Sequence, residues 1–204
     1  MTDDRPIFHS PITWTNLENL LFDSPTQLTL ADLTGIPITL IQGEAGEYLK
    51  QRFANIPAQP GDLINVGDGL LARLTLIEFY LFGRSPAANL PSAAELDYHL
   101  SQAQTFAHAT DLTHGQAVLK LSGLQAAELL SKICGLDFYE TVFPNRRVAQ
   151  TSAAKIKTLI ARDDEGDTPT YFLHVDRPSG QYFWEMVWDA GQEFGISRVA
   201  ALGP

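Results

Sequence analysis

The densest cationic point of this chain is the pair Arg146-Arg147. A guanidinium fork is shaped to grip a carboxylate through two parallel hydrogen bonds. The pair can stand as ordinary surface charge, or it can meet an acidic ligand tail or an acidic partner. An acidic run, Asp163, Asp164, Glu165 and Asp167, follows shortly after. It lacks the sixth-position glycine and the distal glutamate of a calcium loop, and reads as a solvated turn. The histidines are His9, His99, His108, His114 and His174, none in HxH or HExxH spacing, so they form no metal-ligating pattern. Cys134 lies late on an apolar stretch, as a small hydrophobe does, and no GxSxG elbow is present. Gly67-Asp68-Gly69 lacks the third glycine of a dinucleotide loop and reads as a turn. Trp184 and Trp188, one helical turn apart, project to a side not shared with Phe183 and Phe194, which suits either a contact surface or a core shared between lobes.

Charge and composition narrow the partners. The net charge is −10, from 24 acids against 14 bases, which argues against a nucleic-acid partner because that affinity comes from Lys and Arg on phosphates. With 204 residues, 45 % of them hydrophobic, the chain can bury one sizeable core or two small lobes. A single cysteine excludes an internal disulfide. No apolar run approaches the roughly 18 residues of a membrane span. The acidic, polar opening MTDDRPIFHS is unlike a secretory leader, so the expectation is a cytoplasmic protein with no membrane partner.

The elements that must position these side chains repeat. ADLTGIPITLIQG, Ala31 to Gly43, and TDLTHGQAVLKLSG, Thr110 to Gly123, both read as a turn, a strand and a glycine that opens a helix. After the first, Ala45, Tyr48, Leu49 and Phe53 share a helical face, Leu70 to Phe82 suits a tight hairpin, and Ser92 with Glu95 has capping-box spacing for a second helix. After the second, Ala126, Leu129, Leu130 and Ile133 face inward, with Gly135 as a helix cap. Val148 to Ala161 and Thr170 to Val175 are strands joined by DDEGD, and Pro178-Ser179 opens a last helix ending at Gly195. The pattern predicts an internal duplication: an arm over 1–30, containing a short amphipathic helix at Asn16 to Phe22, then halves over 31–107 and 108–204 in one globular unit. Four buried side chains per helix yield roughly 6–12 kcal/mol. Ordering each helix costs about 1–2 kcal/mol per residue, so no helix stands without a sheet beneath it. The class is α+β, with mostly antiparallel sheets and helices on one face of each.

The second unit resembles a known family. LKLSGLQAAELLSKICGLDF, Leu119 to Phe138, followed by VFPNRRVAQTSAAKIKTLIAR, Val142 to Arg162, is similar to the gamma subunit of heterotetrameric sarcosine oxidase, within the fold of the glycine-cleavage T-protein, a folate-dependent aminomethyltransferase. ADLT with GEAGEYLKQRF resembles the family's earlier segment more loosely, and the likeness spans most of residues 31–195. In T-proteins the hairpin after this helix carries a double glycine and paired aspartates, one of which assists chemistry at folate. Here SAAKIKTLIAR stands in that place, with Lys157 and Thr158 about where the acids belong. A cation cannot serve there as a base or as a stabiliser of an iminium.

The resemblance therefore implies a non-catalytic, gamma-like subunit of a sarcosine-oxidase-like flavoprotein complex in one-carbon metabolism. Its alpha and beta partners would hold the flavins and NAD, and no cofactor is expected in this chain. The alternative is a stand-alone folate-binding protein. Tetrahydrofolate would then lie between the halves, near Asp137, which matches a family position beside the folate cleft, and Arg146 or Arg147 would meet its glutamate tail. An independent aminomethyltransferase ranks last because the acid is absent.

Overall fold

The structure, a computed structural model, describes residues 10–13 and 28–199; the helix predicted at Asn16 to Phe22 and His9 lie outside them. Its elements run β1 (Thr29–Asp32), β2 (Ile38–Gly43), α1 (Gly46–Phe53), β3 (Leu63–Val66), β4 (Gly69–Arg73), β5 (Glu78–Gly83), α2 (Ala93–Gln102) and β6 (Ala107–Asp111). They continue as β7 (Gln116–Ser122), α3 (Ala126–Ile133), β8 (Val148–Ala153), β9 (Ile156–Arg162), β10 (Thr170–Asp176), α4 (Gly180–Gly191) and β11 (Ser197–Val199). From β2 to β6 the order is strand, helix, three strands, helix, strand, and β7 to β11 repeats it.

The sheets carry the same correspondence. One is five-stranded, β3-β4-β5-β2-β6, and the other six-stranded, β8-β9-β10-β7-β1-β11. They match position for position except that β1 is inserted between β7 and β11. Every pairing is antiparallel save that of β1 with β11. Gly43 and Gly123 end the first strand of each unit at φ 104° and 140°, and their N–H groups donate to Ile77 and Pro169 at 2.9 and 3.0 Å. At Gly43 a Cβ would lie 2.3 Å from the Phe106 carbonyl oxygen, so only glycine fits. The residue at the expected division, 107, opens β6, which belongs to the five-stranded sheet.

Alternation along the strands builds three apolar layers. Ile41, Leu49, Leu71, Phe79, Leu81, Leu96 and Leu100 pack α1 and α2 on the outer face of the five-stranded sheet. Leu119, Leu121, Leu129, Leu130, Tyr171, Leu173, Phe183 and Val187 do the same for α3 and α4 on the other. Between the sheets lie Ile36, Ile38, Leu70, Tyr80, Phe82, Val118, Leu159 and Phe172. The product is a helix–sheet–sheet–helix sandwich in which the space between the sheets is filled by side chains.

Local chemistry explains most element ends. Ser92 caps α2 by accepting from the Glu95 N–H at 3.1 Å, while the Glu95 carboxylate turns instead to Arg52 at 3.3 Å. Gly195 follows α4 at φ 65° as expected. Gly135 does not play that part at α3, because Cys134 leaves the helix extended and bridges Ala153. The long stretch predicted as one strand from Val148 to Ala161 is a hairpin, turned at Ala154 and Lys155 with φ 49° and 66°. A two-residue loop with both φ positive matches strand twist, and Asn-Gly is its usual sequence; Ala-Lys hides it.

Candidate functional site

The two sheets meet at one corner, and Arg146-Arg147 sits there. Residues 61–63, leading into β3, run antiparallel to 146–148, leading into β8. Leu63 N–H donates to Arg146 O at 3.0 Å and Val148 N–H to Gly61 O at 2.9 Å. Arg146 adopts φ 69°, which turns its carbonyl to β3 while its own N–H donates to Arg162 O at 3.1 Å.

Both guanidinium groups are committed within the chain. Arg147 Nη1 lies 2.5 Å from Asp62 Oδ1. Arg146 Nη1 lies 2.6 Å from Asp163 Oδ1, a close meeting of charges rather than an aligned hydrogen bond. Asp163 Oδ2 accepts from Arg84 Nε at 2.7 Å. The Asn65 amide oxygen accepts from both Arg84 and Arg146. Two strands' ends in one half and two in the other are thereby tied to one carboxylate that is 4 % exposed. The solvated-turn reading of the acidic run is corrected here for its first two residues: Asp163 is buried in this clasp, and the half-buried Asp164 is the partner of Arg162. Arg162 grips Asp164 through Nε and Nη2, both at 2.9 Å, and gives Nη1 to the Phe143 carbonyl at 2.8 Å. Burial opposes its charge, but the hydrogen bonds to Asp164 and Glu140 prevail and hold it above its usual value. Glu165 and Asp167 keep the surface character expected of the run, and Glu165 pairs with Lys120 at 2.5 Å.

The other residues singled out by sequence do not join this corner. Asp137 is exposed, and its Oδ1 accepts from the Tyr139 N–H at 2.9 Å in a local turn. Lys157 is exposed near the β8–β9 turn, whereas Thr158 is fully buried and its hydroxyl donates to Ile156 O at 2.9 Å. Trp184 is 8 % exposed and belongs to the core under α4, with Trp188 packed against it. Trp184 thus lies in the layer between α4 and the six-stranded sheet, not in the layer shared by the two sheets.

Sequence reasoning gave His174 no chemical role and passed over Tyr80 and Tyr171. His174 is 1 % exposed, stacked edge-on to Tyr80 and Phe82 at 5.4 and 4.7 Å between ring centres. Neither ring nitrogen has a hydrogen-bond partner, and burial pushes its pKa down to about 3. Burial raises Tyr171 to about 12, partly countered by Arg162 at 5.7 Å from its ring, and raises Tyr80 further. The signal available was the near-continuous apolar character of EFYLFG and TYFLHVD, which become β5 and β10 and are buried on both faces. Each group whose protonation the fold shifts is moved away from neutral pH, opposite to what general acid–base work asks. Among the described residues no cluster of His, Cys, Asp or Glu could hold a metal ion, and no helix is long and apolar enough to cross a membrane.

Two back-to-back, mostly antiparallel sheets, each roofed by a helix pair and joined at a corner, define the T-protein-like α+β class. The chain belongs to the GCVT N-terminal domain family, whose profile matches residues 52–202. Among solved structures it is similar to a chain of the heterotetrameric sarcosine oxidase from Corynebacterium sp. U-96, solved in complex with pyrrole 2-carboxylate. That likeness has a TM-score of 0.71 at 24 % identity and covers 85 % of this chain and 88 % of that one. It is also similar to the glycine cleavage system aminomethyltransferase T from Bartonella henselae, with a TM-score of 0.60 at 15 % identity over 85 % of this chain. In that case it spans only 48 % of the other chain's length. No curated protein matches it in sequence.

Proposed function

We propose that this chain is a non-catalytic, gamma-like subunit of a heteromeric, sarcosine-oxidase-like flavoprotein complex. The observation that carries the reading is the length of the match: 85 % of this chain against 88 % of a chain from a heterotetramer, so the two are of nearly equal size. The aminomethyltransferase, by contrast, has about as much chain again outside the match. The interior supports a packing role. Its shifted groups are unfit for proton transfer at neutral pH, and Lys157 and Thr158 stand on a hairpin that offers no carboxylate at their positions. In this reading the alpha-like and beta-like partners hold the flavins and NAD, and this chain holds no cofactor. Affinity capture of the tagged chain from its native host tests it. Copurification of larger chains with the yellow absorbance of bound flavin is expected; a colourless chain recovered alone refutes it.

The alternative, a folate-binding protein acting alone, is not favoured by the corner. Arg146 and Arg147 are already neutralised by Asp163 and Asp62, so a glutamate tail has to displace a carboxylate that is covalently part of the chain. Isothermal titration with tetrahydrofolate checks this, with no heat expected at high micromolar ligand.

A further inference from the structure

From the loop between α3 and β8 we infer that Tyr139 and Val142 form a preset anchor for a partner protein, seated in an apolar recess whose rim carries Lys or Arg. The inference deepens the subunit reading and rests on it for the partner's identity. The loop runs over residues 134–147. Its two phenylalanines are buried: Phe138 and Phe143 lie edge-on at 5.7 Å between ring centres, and Phe138 meets Tyr171 at 5.9 Å. Between them the chain turns outward and presents Tyr139 at 76 % exposure and Val142 at 53 %.

The backbone of this display is fixed from within the chain. Asp137 holds the Tyr139 N–H, and the Tyr139 carbonyl accepts from the N–H groups of Val142 and Phe143, both at 2.8 Å. Tyr139 and Val142 therefore close one turn. From beneath, Arg162 Nη1 holds the Phe143 carbonyl at 2.8 Å and the Glu140 carboxylate at 2.5 Å. A segment ordered before contact has little backbone entropy left to lose on binding. A tyrosine adds a large apolar body with few rotamers and a polar tip, which is the character of the side chains that dominate interfaces.

The fold does not call for this display. In the repeated plan the connection from α1 to β3, residues 54–62, holds the same place in the other half and exposes no large apolar side chain. Its Ile56 is half-buried against the layer beneath α1 and α2. The charge around Tyr139 and Val142 decides the occupant. Asp137 is exposed and without an ion pair among the described residues. Arg162 alone stands against both Asp164 and Glu140, and its side chain is buried while that of Glu140 is exposed. Outward, the loop offers carboxylates beside an apolar pair. A recess that takes the pair meets those carboxylates at its rim, where lysine or arginine complements them and acids are repelled.

Two variants and a photocrosslinker test the site in the full chain. Tyr139→Ser removes the anchor, whereas Asp137→Asn keeps the oxygen that accepts from the Tyr139 N–H and removes only the charge. Thermal melts verify folding; if Tyr139→Ser does not fold, Val142→Ser stands in for it. In capture from the native host, wild type is expected to retain flavin-bearing partners and Tyr139→Ser to lose them at least roughly tenfold. Asp137→Asn should weaken capture roughly threefold at low salt and match wild type at about 1 M salt, where the charge is screened. Full retention by Tyr139→Ser overturns the docking site while leaving the subunit reading intact, and full retention by Asp137→Asn at low salt overturns the basic rim. Independently of capture, p-benzoylphenylalanine placed at position 139 should crosslink to the partner on irradiation in the native host. An adduct with a flavin-bearing chain supports both readings; one with a chain that binds no flavin keeps the docking site and removes the subunit reading. No adduct overturns the docking site whatever capture shows, as does an adduct with a second copy of this chain.

Discussion

Replacing His174 by leucine should remove a large part of this protein's acid sensitivity. His174 is buried between the sheets with both ring nitrogens unpartnered, so the native state holds the neutral imidazole and resists its protonation. Its pKa falls from 6.5 in the unfolded chain to about 3 in the fold, because burial penalises the charged form. Between those values the unfolded chain binds the proton and the native state does not. Stability therefore rises with pH across this window and is lost as pH falls through the unfolded value. Nothing is lost at pH 7.5, where neither state is protonated. At pH 5 the unfolded state gains a factor of about 30 in its favour, which is about 2 kcal/mol. Leucine, close in volume and unable to titrate, should also spare the cost of two unsatisfied nitrogens, on the order of 1–3 kcal/mol at any pH. The assay is urea unfolding of both proteins at pH 7.5 and pH 5, using the variant to cancel all other titrating groups. Wild type should lose about 2 kcal/mol more than His174→Leu on acidification. Parallel losses would show that the imidazole is paired or reaches water, and the reasoning fails.

Removing the carboxylate of the corner clasp with Asp163→Asn leaves Arg84 and Arg146 facing each other. Breaking a buried pair costs about 3–5 kcal/mol, but the two guanidiniums are 31 % and 36 % exposed, so about 2–3 kcal/mol is expected in urea unfolding. A cycle with Arg84→Met should return part of that loss, and strict additivity refutes the pairing. At the β8–β9 turn, Ala154→Asn with Lys155→Gly relieves two left-handed non-glycine residues and should raise stability by about 1 kcal/mol, read as a higher melting temperature. Gly43→Ala should cost on the order of 3 kcal/mol or more in the same melt, because its Cβ meets the Phe106 carbonyl at 2.3 Å. Gly135→Ala, with open space around it and no positive φ, should be neutral or slightly stabilising.

What the sequence conveys of this fold is what local chemistry encodes. The strands at Ile38–Gly43 and Gln116–Ser122, the helices after their glycines, the hairpin within residues 70–82 and the cap at Ser92 all follow from alternation, helical period and turn residues. β3 is missed because LINV is four residues between two turns, too short to show a period. β1 and β11 are missed because each is strand only by virtue of the other and of β7, pairings that span most of the chain. The same boundary between local and remote governs the site. Arg146-Arg147 is conspicuous as a cationic pair, yet its meaning depends on Asp62, Asn65 and Arg84, which come from the other half. A carboxylate paired that far away cannot be told by spacing from a solvated one, which is why Asp163 reads as turn in sequence and lies buried in the fold. The consequence reaches function. The space between the halves, where a ligand would lie, is here filled by Tyr80, Phe82, Phe172 and His174, and Arg146 and Arg147, the cations that would steer one, hold the corner shut. Opening that space for a small molecule exposes apolar layer and breaks ion pairs together, whereas contact over the outer surface disturbs neither. Association at the outside is the cheaper use of this architecture.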